Sequence, residues 1–511
     1  MMHIQNSLSE GLITRHLRQE KSRGQLPVST AGNMLQTMSS TFGWVRLMKH
    51  RALTLTTLLM LLLLTLSPGA HAQEESEPDV EASEALVATP TTLPPNLSPV
   101  PKGLGLDFNA VDFPRPGEVE MLKAAGIRWM RTGFSWQDTE KADGYHFEHY
   151  VKVLKILEDN NIRPIFILAY GNSMYTGDDQ NPPVTYDQRK KFADWVSAAL
   201  KEFKGHHIIW ELYNEPEIRG LNQVDYVKLA KKVGPMFLSA HEILVGPSLS
   251  HIPKKGKSNP YKLQEEFLRY CFDHHLLQYW SAVSVHPYRG SDGPETVTAD
   301  YQYLRSIIRD RLILDHQPKR QVPIISSEWG YSSRPETASG SGNLIRDETE
   351  AKLLAREWLI NLYNRIPISI WYTWHDTLDL PWDTPKQTSE RHFGIVRFED
   401  YDENRDPFYT PKPAYHAAQT LTRTLLGYHF DARINLHDED DYALHFINGD
   451  QFQIAAWTTS AKHMVRIRVP PGDYEVINYV GLNPKQYYGV QNSLEIELTN
   501  APVYIQKLRT N

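Results

Sequence analysis

Ile208–Ile209–Trp210–Glu211–Leu212–Tyr213–Asn214–Glu215–Pro216–Glu217 begins as an apolar run of strand type and stops on Asn–Glu–Pro. Pro216 has no N–H for a sheet ladder and biases Glu215 away from helical geometry, so the strand is expected to end there. An amide and a carboxyl side chain then stand at the C-terminal mouth of a buried strand. In a parallel α/β barrel that mouth is where chemistry is done. A second carboxylate has a similar setting in Val322–Pro323–Ile324–Ile325–Ser326–Ser327–Glu328–Trp329–Gly330, about three βα units further on. Two glutamates ending two strands of one barrel are the arrangement that retaining glycoside hydrolysis requires.

Around these stretches, strand-like apolar runs alternate with segments of helical periodicity. The expected strands are Gly103–Phe108, Ile127–Arg131, Arg163–Leu168, Ile208–Asn214, Ile243–Pro247, Ala282–His286, Pro323–Glu328 and Ile368–Tyr372. The expected helices include Tyr150–Asn160, Asp187–Lys204, Tyr226–Ser239, Lys262–Phe272, Ala299–Leu314, Glu348–Asn364 and Pro411–Leu426. Eight strands alternating with helices predict a (β/α)8 TIM barrel over residues 102–427. A long connection after the eighth strand, about Asp376–Asp406, is expected to line the cleft. After Gly427 the apolar period changes to two, with turns such as Asn448–Gly449–Asp450 and Pro470–Pro471–Gly472–Asp473. Residues 428–511 therefore read as a small all-β, sandwich-like domain.

Upstream of the barrel, Met48–Lys49–His50–Arg51, the apolar run Ala52–Leu66 and Ala70–His71–Ala72 form the three parts of a secretory signal. Cleavage is expected after Ala72, and the protein is then secreted or periplasmic. The apolar core falls short of the ~20 residues that span a bilayer, so membrane attachment is expected only if the segment stays uncleaved. The signal begins late, which fits translation from Met48 or Met38. Gln73–Pro101, rich in Glu, Ser, Pro and Thr, reads as a disordered linker.

Composition narrows the function further. A net charge of −7 over 511 residues offers no electrostatic footprint for nucleic acid. The single Cys271 excludes an intrachain disulfide and any multi-thiolate metal centre, and it sits among Phe267, Leu268, Tyr270 and Phe272 as a buried thiol would. His206–His207 and His274–His275 are adjacent pairs whose side chains diverge, which argues against ligation. Ser339–Gly340–Ser341–Gly342 lacks the strand and helix of a phosphate loop and reads as a flexible loop. No metal and no cofactor is expected, and the chain is read as a monomer.

Asn–Glu–Pro closing the fourth strand, with Glu closing the seventh, resembles the signature of clan A glycoside hydrolases. The resemblance spans roughly Gly103 to Gly427. With the trailing β domain the pattern is most similar to family 39, in particular its bacterial branch acting on exopolysaccharide of the biofilm matrix. The resemblance implies that Glu215 is the acid/base and Glu328 the nucleophile, with a polysaccharide or oligosaccharide as partner. It implies that Asn214 donates to the sugar 2-hydroxyl and that Arg131 steadies the nucleophile, with Arg128 as the alternative arginine. His286 and Tyr288, in His286–Pro287–Tyr288, match the clan's His-x-Tyr, whose tyrosine bonds the nucleophile. Trp374, or else Trp371, from Trp371–Tyr372–Thr373–Trp374–His375–Asp376, is expected to floor the −1 subsite. Relatives carry a histidine near the end of strand three where this chain has Leu168–Ala169–Tyr170–Gly171–Asn172, so Tyr170 or Asn172 is expected in its place. The function so implied is a secreted β-glycosidase, endo-acting on a polysaccharide; the alternatives are an exo-acting β-xylosidase, an endo-β-glucanase, or a non-catalytic carbohydrate-binding envelope protein.

Overall fold

The computed structural model describes residues 89–93, 98–258, 260–333, 345–380, 383–397 and 409–508. The expected signal segment, the Ala72 cleavage site, the Ser339–Gly342 loop and, within the connection after the eighth strand, residues 381–382 and 398–406 lie outside them.

Eight strands form the barrel: β1 (Leu104–Asp107), β2 (Trp129–Ser135), β3 (Arg163–Ala169), β4 (Ile209–Leu212), β5 (Ile243–Leu249), β6 (Ala282–Val285), β7 (Ile324–Trp329) and β8 (Ser369–Trp371). They close in the order β1-β8-β7-β6-β5-β4-β3-β2, every pair parallel. Eight helices surround them: α1 (Glu118–Ala124), α2 (Glu148–Asp159), α3 (Tyr186–Glu202), α4 (Gln223–Ala240), α5 (Tyr261–Asp273), α6 (Val297–Leu314), α7 (Asp347–Tyr363) and α8 (Pro413–Thr424). The expected helices are in place, and their starts follow capping chemistry. Thr185 and Gln188 form a reciprocal capping box on α3, and the Asn222 side chain accepts from Val224 and Asp225 N–H at α4. The short α1 was not foreseen.

Strand alternation sorts the side chains. Trp129, Ile165, Ile209, Ile243, Val245, Ala282, Ile325, Ile368 and Ile370 pack together inside the barrel. Leu106, Phe134, Phe166, Trp210, Val283, Trp329 and Trp371 belong instead to the larger core shared with the helices. Moving two residues along from the inward set reaches the mouth, so Arg131 follows Trp129 and Glu211 follows Ile209. Gly105 also faces in, since a Cβ there would meet Trp129 and Ile370; Asp107 is next on that face.

The reading of Gln73–Pro101 as disordered fails for the described part of that stretch. Leu93 packs against the interior apolar cluster, and Thr91 Oγ1 donates to the His241 carbonyl at 3.0 Å. Val100 is buried and exchanges backbone hydrogen bonds with Gly427 and Tyr428. A polar stretch escapes disorder here because isolated apolar residues in it find apolar partners on the barrel.

The C-terminal region is all-β, as expected, with two strands more. β9 (His429–Arg433), β10 (Asp441–Asn448), β11 (Gln451–Thr458), β13 (Gly472–Asn478), β14 (Lys485–Val490) and β16 (Val503–Lys507) form one sheet ordered β9-β10-β11-β16-β13-β14. β12 (His463–Arg468) and β15 (Ser493–Leu498) form a second, two-stranded sheet. β9 alternates but is only five residues long, and β14 lacks clean alternation. One face of the large sheet packs with the small sheet through Ala443, Ile454, Ile467, Ile496 and Ile505. The opposite face gives Phe446, Trp457 and Tyr504 to the core shared with the barrel. Glu295, just ahead of α6, ties the two regions: Arg356 on α7 donates to it at 2.7 and 2.6 Å, and Trp457 Nε1 at 2.7 Å.

Candidate active site

Arg131 is 1% exposed and sits inside the mouth of the barrel. Its Nε donates to Glu211 Oε2 at 2.7 Å, Nη1 to Asp107 Oδ2 and to Glu328 Oε2 at 2.8 Å each, and Nη2 to Asn214 Oδ1 at 2.7 Å. One guanidinium therefore holds three carboxyl groups and an amide from β1, β4 and its exit, and β7. A planar fork of five donors suits that task where a lysine would not. Among the described residues the side chain of Arg128, the alternative, donates to the neighbouring Ile127 carbonyl and to none of the groups around Arg131.

Glu328 reaches the mouth through a bulge. Ser326 pairs with Ser369 and Trp329 with Trp371, so β7 spends one more residue than β8 over this interval. The extra residue lets Ser327 and Glu328 both turn inward, the first onto Ser284 Oγ at 2.6 Å and the second onto Arg131. Tyr288 donates to the other oxygen of Glu328 at 2.9 Å. Burial opposes ionisation of Glu328, but His286, Arg131 and the Tyr288 hydroxyl outweigh it and hold its carboxyl below the usual range. A Cβ at Gly330 would lie 2.2 Å from the Tyr372 carbonyl oxygen, so the chain leaving β7 can pass β8 there only as glycine.

Glu215 lies on the turn after β4, where Tyr213 and Glu215 have φ of 67° and 50°. Non-glycine residues rarely adopt this conformation, and the strain is held by tertiary contacts. Glu215 N–H donates to the Ser248 carbonyl at 2.9 Å, and Asn214 Nδ2 donates to the Tyr170 hydroxyl at 3.1 Å. Tyr170 thus joins the site, whereas Asn172 is buried on the carbonyls of Trp136 and Glu140 and serves the loop.

His286 connects the two glutamates. Its Nε2 faces Arg131 Nη2 at 3.4 Å and Ser248 Oγ at 3.1 Å. An arginine nitrogen cannot accept a hydrogen bond. The proton of a neutral ring therefore belongs on Nδ1, which donates to Glu215 Oε1 at 3.0 Å. Burial disfavours the cationic ring, but Glu328 and Glu215 prevail and raise its pKa. On the solvent side, Arg219 Nη2 stands 3.8 Å from Glu215 Oε2, its guanidinium 5.4 Å from the Tyr170 ring centre.

Oxygens of Glu215 and Glu328 and a nitrogen of His286 all lie within 4.8 Å of one another. A divalent ion could use such donors. Both Glu328 oxygens, however, are already bonded to Arg131 and Tyr288, and the arginine charge is adjacent, so the arrangement is that of a carboxyl pair rather than a metal centre.

The tryptophans are corrected. Trp371 and Trp374 are 0% and 1% exposed. Trp371 faces the helical layer and donates to the Phe393 carbonyl; Trp374 donates to buried Glu118 at 2.6 Å. Neither offers a ring face to a sugar. The inward alternation Ile368, Ile370 continues to Tyr372, which is half-buried, with its ring 5.4 Å from Phe393. Phe393 also lies 6.3 Å from Tyr288. Its segment is anchored by Lys412, whose Nζ donates to Glu350, to Asp376 and to the His392 carbonyl in a buried cluster, while Gly394 N–H donates to Asp376. Sequence reasoning also missed Asp107, Glu211, Ser248 and Ser284. A signal did exist for Asp107 and Glu211: each is a charged residue on the inward phase of an apolar strand.

No protein-family model matches the sequence, and no curated protein is significantly similar to it. Solved structures are. A family 39 glycoside hydrolase from the gut symbiont Bacteroides cellulosilyticus WH2 is 22% identical with a TM-score of 0.65, over 80% of this chain and 81% of that one. A glucosidase from Croceicoccus marinus is 13% identical with a TM-score of 0.54, over 82% and 98%. A family 30 endoxylanase from Clostridium papyrosolvens C71 is 9% identical with a TM-score of 0.53, over 82% and 100%. The fold is that of the clan A glycoside hydrolases. The likeness is one of fold, shared with glycoside hydrolases of families 39 and 30.

Proposed function

We propose that this chain is a secreted retaining β-glycosidase that cleaves O-glycosidic bonds within a polysaccharide. The observation that carries the reading is the approach of Glu215 and Glu328 to within 4.8 Å across the barrel mouth, in unlike surroundings. Retaining enzymes separate their carboxyl groups by about 5–5.5 Å, whereas inverting ones leave room for a water. Glu328, ionised between Arg131 and Tyr288, is the nucleophile. It attacks the anomeric carbon while Glu215, oriented by His286, gives its proton to the leaving oxygen; Glu215 then takes a proton from the water that hydrolyses the glycosyl ester. Asn214, fixed by Arg131 and Tyr170, is placed to donate to the sugar 2-hydroxyl. Tyr372 and Phe393 give the subsite its aromatic wall. Bacterial exopolysaccharide is the substrate class this reading favours, reached after export and cleavage at Ala72.

The test is Glu215→Gln and Glu328→Gln in the mature protein against a panel of polysaccharides and aryl glycosides. Each variant is expected to unfold at close to the wild-type temperature and to lose several orders of magnitude in turnover. Near-wild-type turnover in either would overturn the assignment. A wild type that binds glycans without cleaving any would favour a carbohydrate-binding protein.

A further inference from the structure

Asp107 has no role in the chemistry just described, yet it ends β1 on the same inward layer as Arg131 and Glu211. Its Oδ2 accepts from Arg131 Nη1 at 2.8 Å, the nitrogen that also holds Glu328. Its side chain is 15% exposed. Among the described residues no donor bonds Oδ1, and that atom is not among the buried polar atoms left without a partner. A carboxylate in a barrel mouth, clamped through one oxygen with the other open to the cleft, is built to meet something that enters. What enters the −1 subsite, if the glycosidase reading holds, is a ring of hydroxyl groups.

We propose that Asp107 is a substrate-binding residue that selects for one particular free hydroxyl on the −1 sugar, which donates to its Oδ1 while Arg131 holds Oδ2. The clamp fixes the carboxylate plane, so one ring hydroxyl is recognised and a sugar lacking it leaves a semi-buried acceptor unpaired. Such pairing is where hydroxyl discrimination is steep, because the penalty falls on the protein group left unmatched. The surroundings agree. Burial raises the Asp107 pKa to about 7, opposed by Arg131 and reinforced by Glu328, so the carboxyl can accept a hydroxyl proton or, when protonated, donate its own. Arg131, Glu328, His286 and Tyr372 are the titratable groups that face it.

The experiment uses aryl glycosides of the sugar that wild type turns over fastest, together with analogues each lacking one ring hydroxyl. Wild type is expected to lose kcat/KM by about 10²-fold for one analogue beyond the loss common to the others. Asp107→Ala is expected to erase that difference, turning over parent and that analogue within about threefold of each other. Asp107→Leu, which keeps about the size and offers the sugar no hydrogen bond, is read the same way should Asp107→Ala not fold. An unchanged analogue profile in the variant, with all substrates lowered in proportion, would overturn the proposal and leave the glycosidase reading standing. A wild type inactive on every glycoside would reject both.

Discussion

Arg131 Nη1 lies 2.8 Å from Asp107 Oδ2 and 2.8 Å from Glu328 Oε2, so one nitrogen bonds carboxylates from two strands on opposite sides of the seam formed by β8. Removing the guanidinium would leave Glu211 buried without its countercharge and Glu328 short of a donor. Arg131→Met is therefore expected to destabilise the protein by roughly 3–5 kcal/mol, the cost of breaking a buried pair, and to abolish turnover. Denaturant unfolding checks the first part; a loss under about 1 kcal/mol would mean that the cluster reorganises without its centre.

Asp107 and Glu328 give opposite pH signatures. Glu328, with its pKa depressed, contributes stability that is present above the ordinary carboxylate range and lost as pH falls through its folded value. Asp107, raised from 3.8 to about 7, binds its proton more tightly when folded, so its contribution is lost as pH rises across that interval. Asp107→Asn, which cannot ionise, should gain stability relative to wild type between about pH 5 and pH 8. Urea titrations at both pH values test this, and a difference that stays constant would contradict it.

Trp374 and Tyr372 are separated by function as well as by position. Trp374→Phe removes the donor to buried Glu118 and is expected to cost about 1–3 kcal/mol while leaving KM for glycan unchanged. Tyr372→Ala should raise KM with a smaller effect on unfolding. Steady-state kinetics beside thermal melts distinguish the two, and the reverse pattern would restore tryptophan as the floor.

The barrel was legible because eight apolar strands and the helices between them carry strong, regular periods. Glu215 and Glu328 could be named because each closes an apolar strand, and Asn214, Arg131, His286, Tyr288 and Tyr170 because the family resemblance pointed to their positions; the structure brings all seven together. Trp371 is out of phase with the inward-facing Ile368 and Ile370, whereas Tyr372 is in step with them; Trp374 shares that phase but lies past the end of β8, where its ring turns onto Glu118. The bulge that turns Glu328 inward depends on a register between β7 and β8 that no local pattern states. Ser248 acts through distant partners, His286 and Glu215, and tertiary pairing of that kind leaves no mark on the neighbouring sequence.

Glu295 joins the barrel to the β domain through Arg356 and Trp457. Trp457→Phe keeps the ring stacked on Tyr442, 4.8 Å away, but removes a hydrogen bond to a charged group. A loss of about 1.5–3 kcal/mol is expected, with kcat/KM per folded molecule unaltered. Unfolding in two separate transitions in wild type would show that this contact does not couple the domains.

The stereochemistry of hydrolysis tests the central claim most directly. On the proposed mechanism the approach of Glu215 and Glu328 to within 4.8 Å leaves no room for a water between nucleophile and sugar, and Glu328 attacks the anomeric carbon itself. Proton NMR of the reaction in its first minutes should show a β-configured product from a β-glycoside, with the α anomer appearing only later by mutarotation. An α anomer formed first would contradict double displacement and the roles assigned to both glutamates.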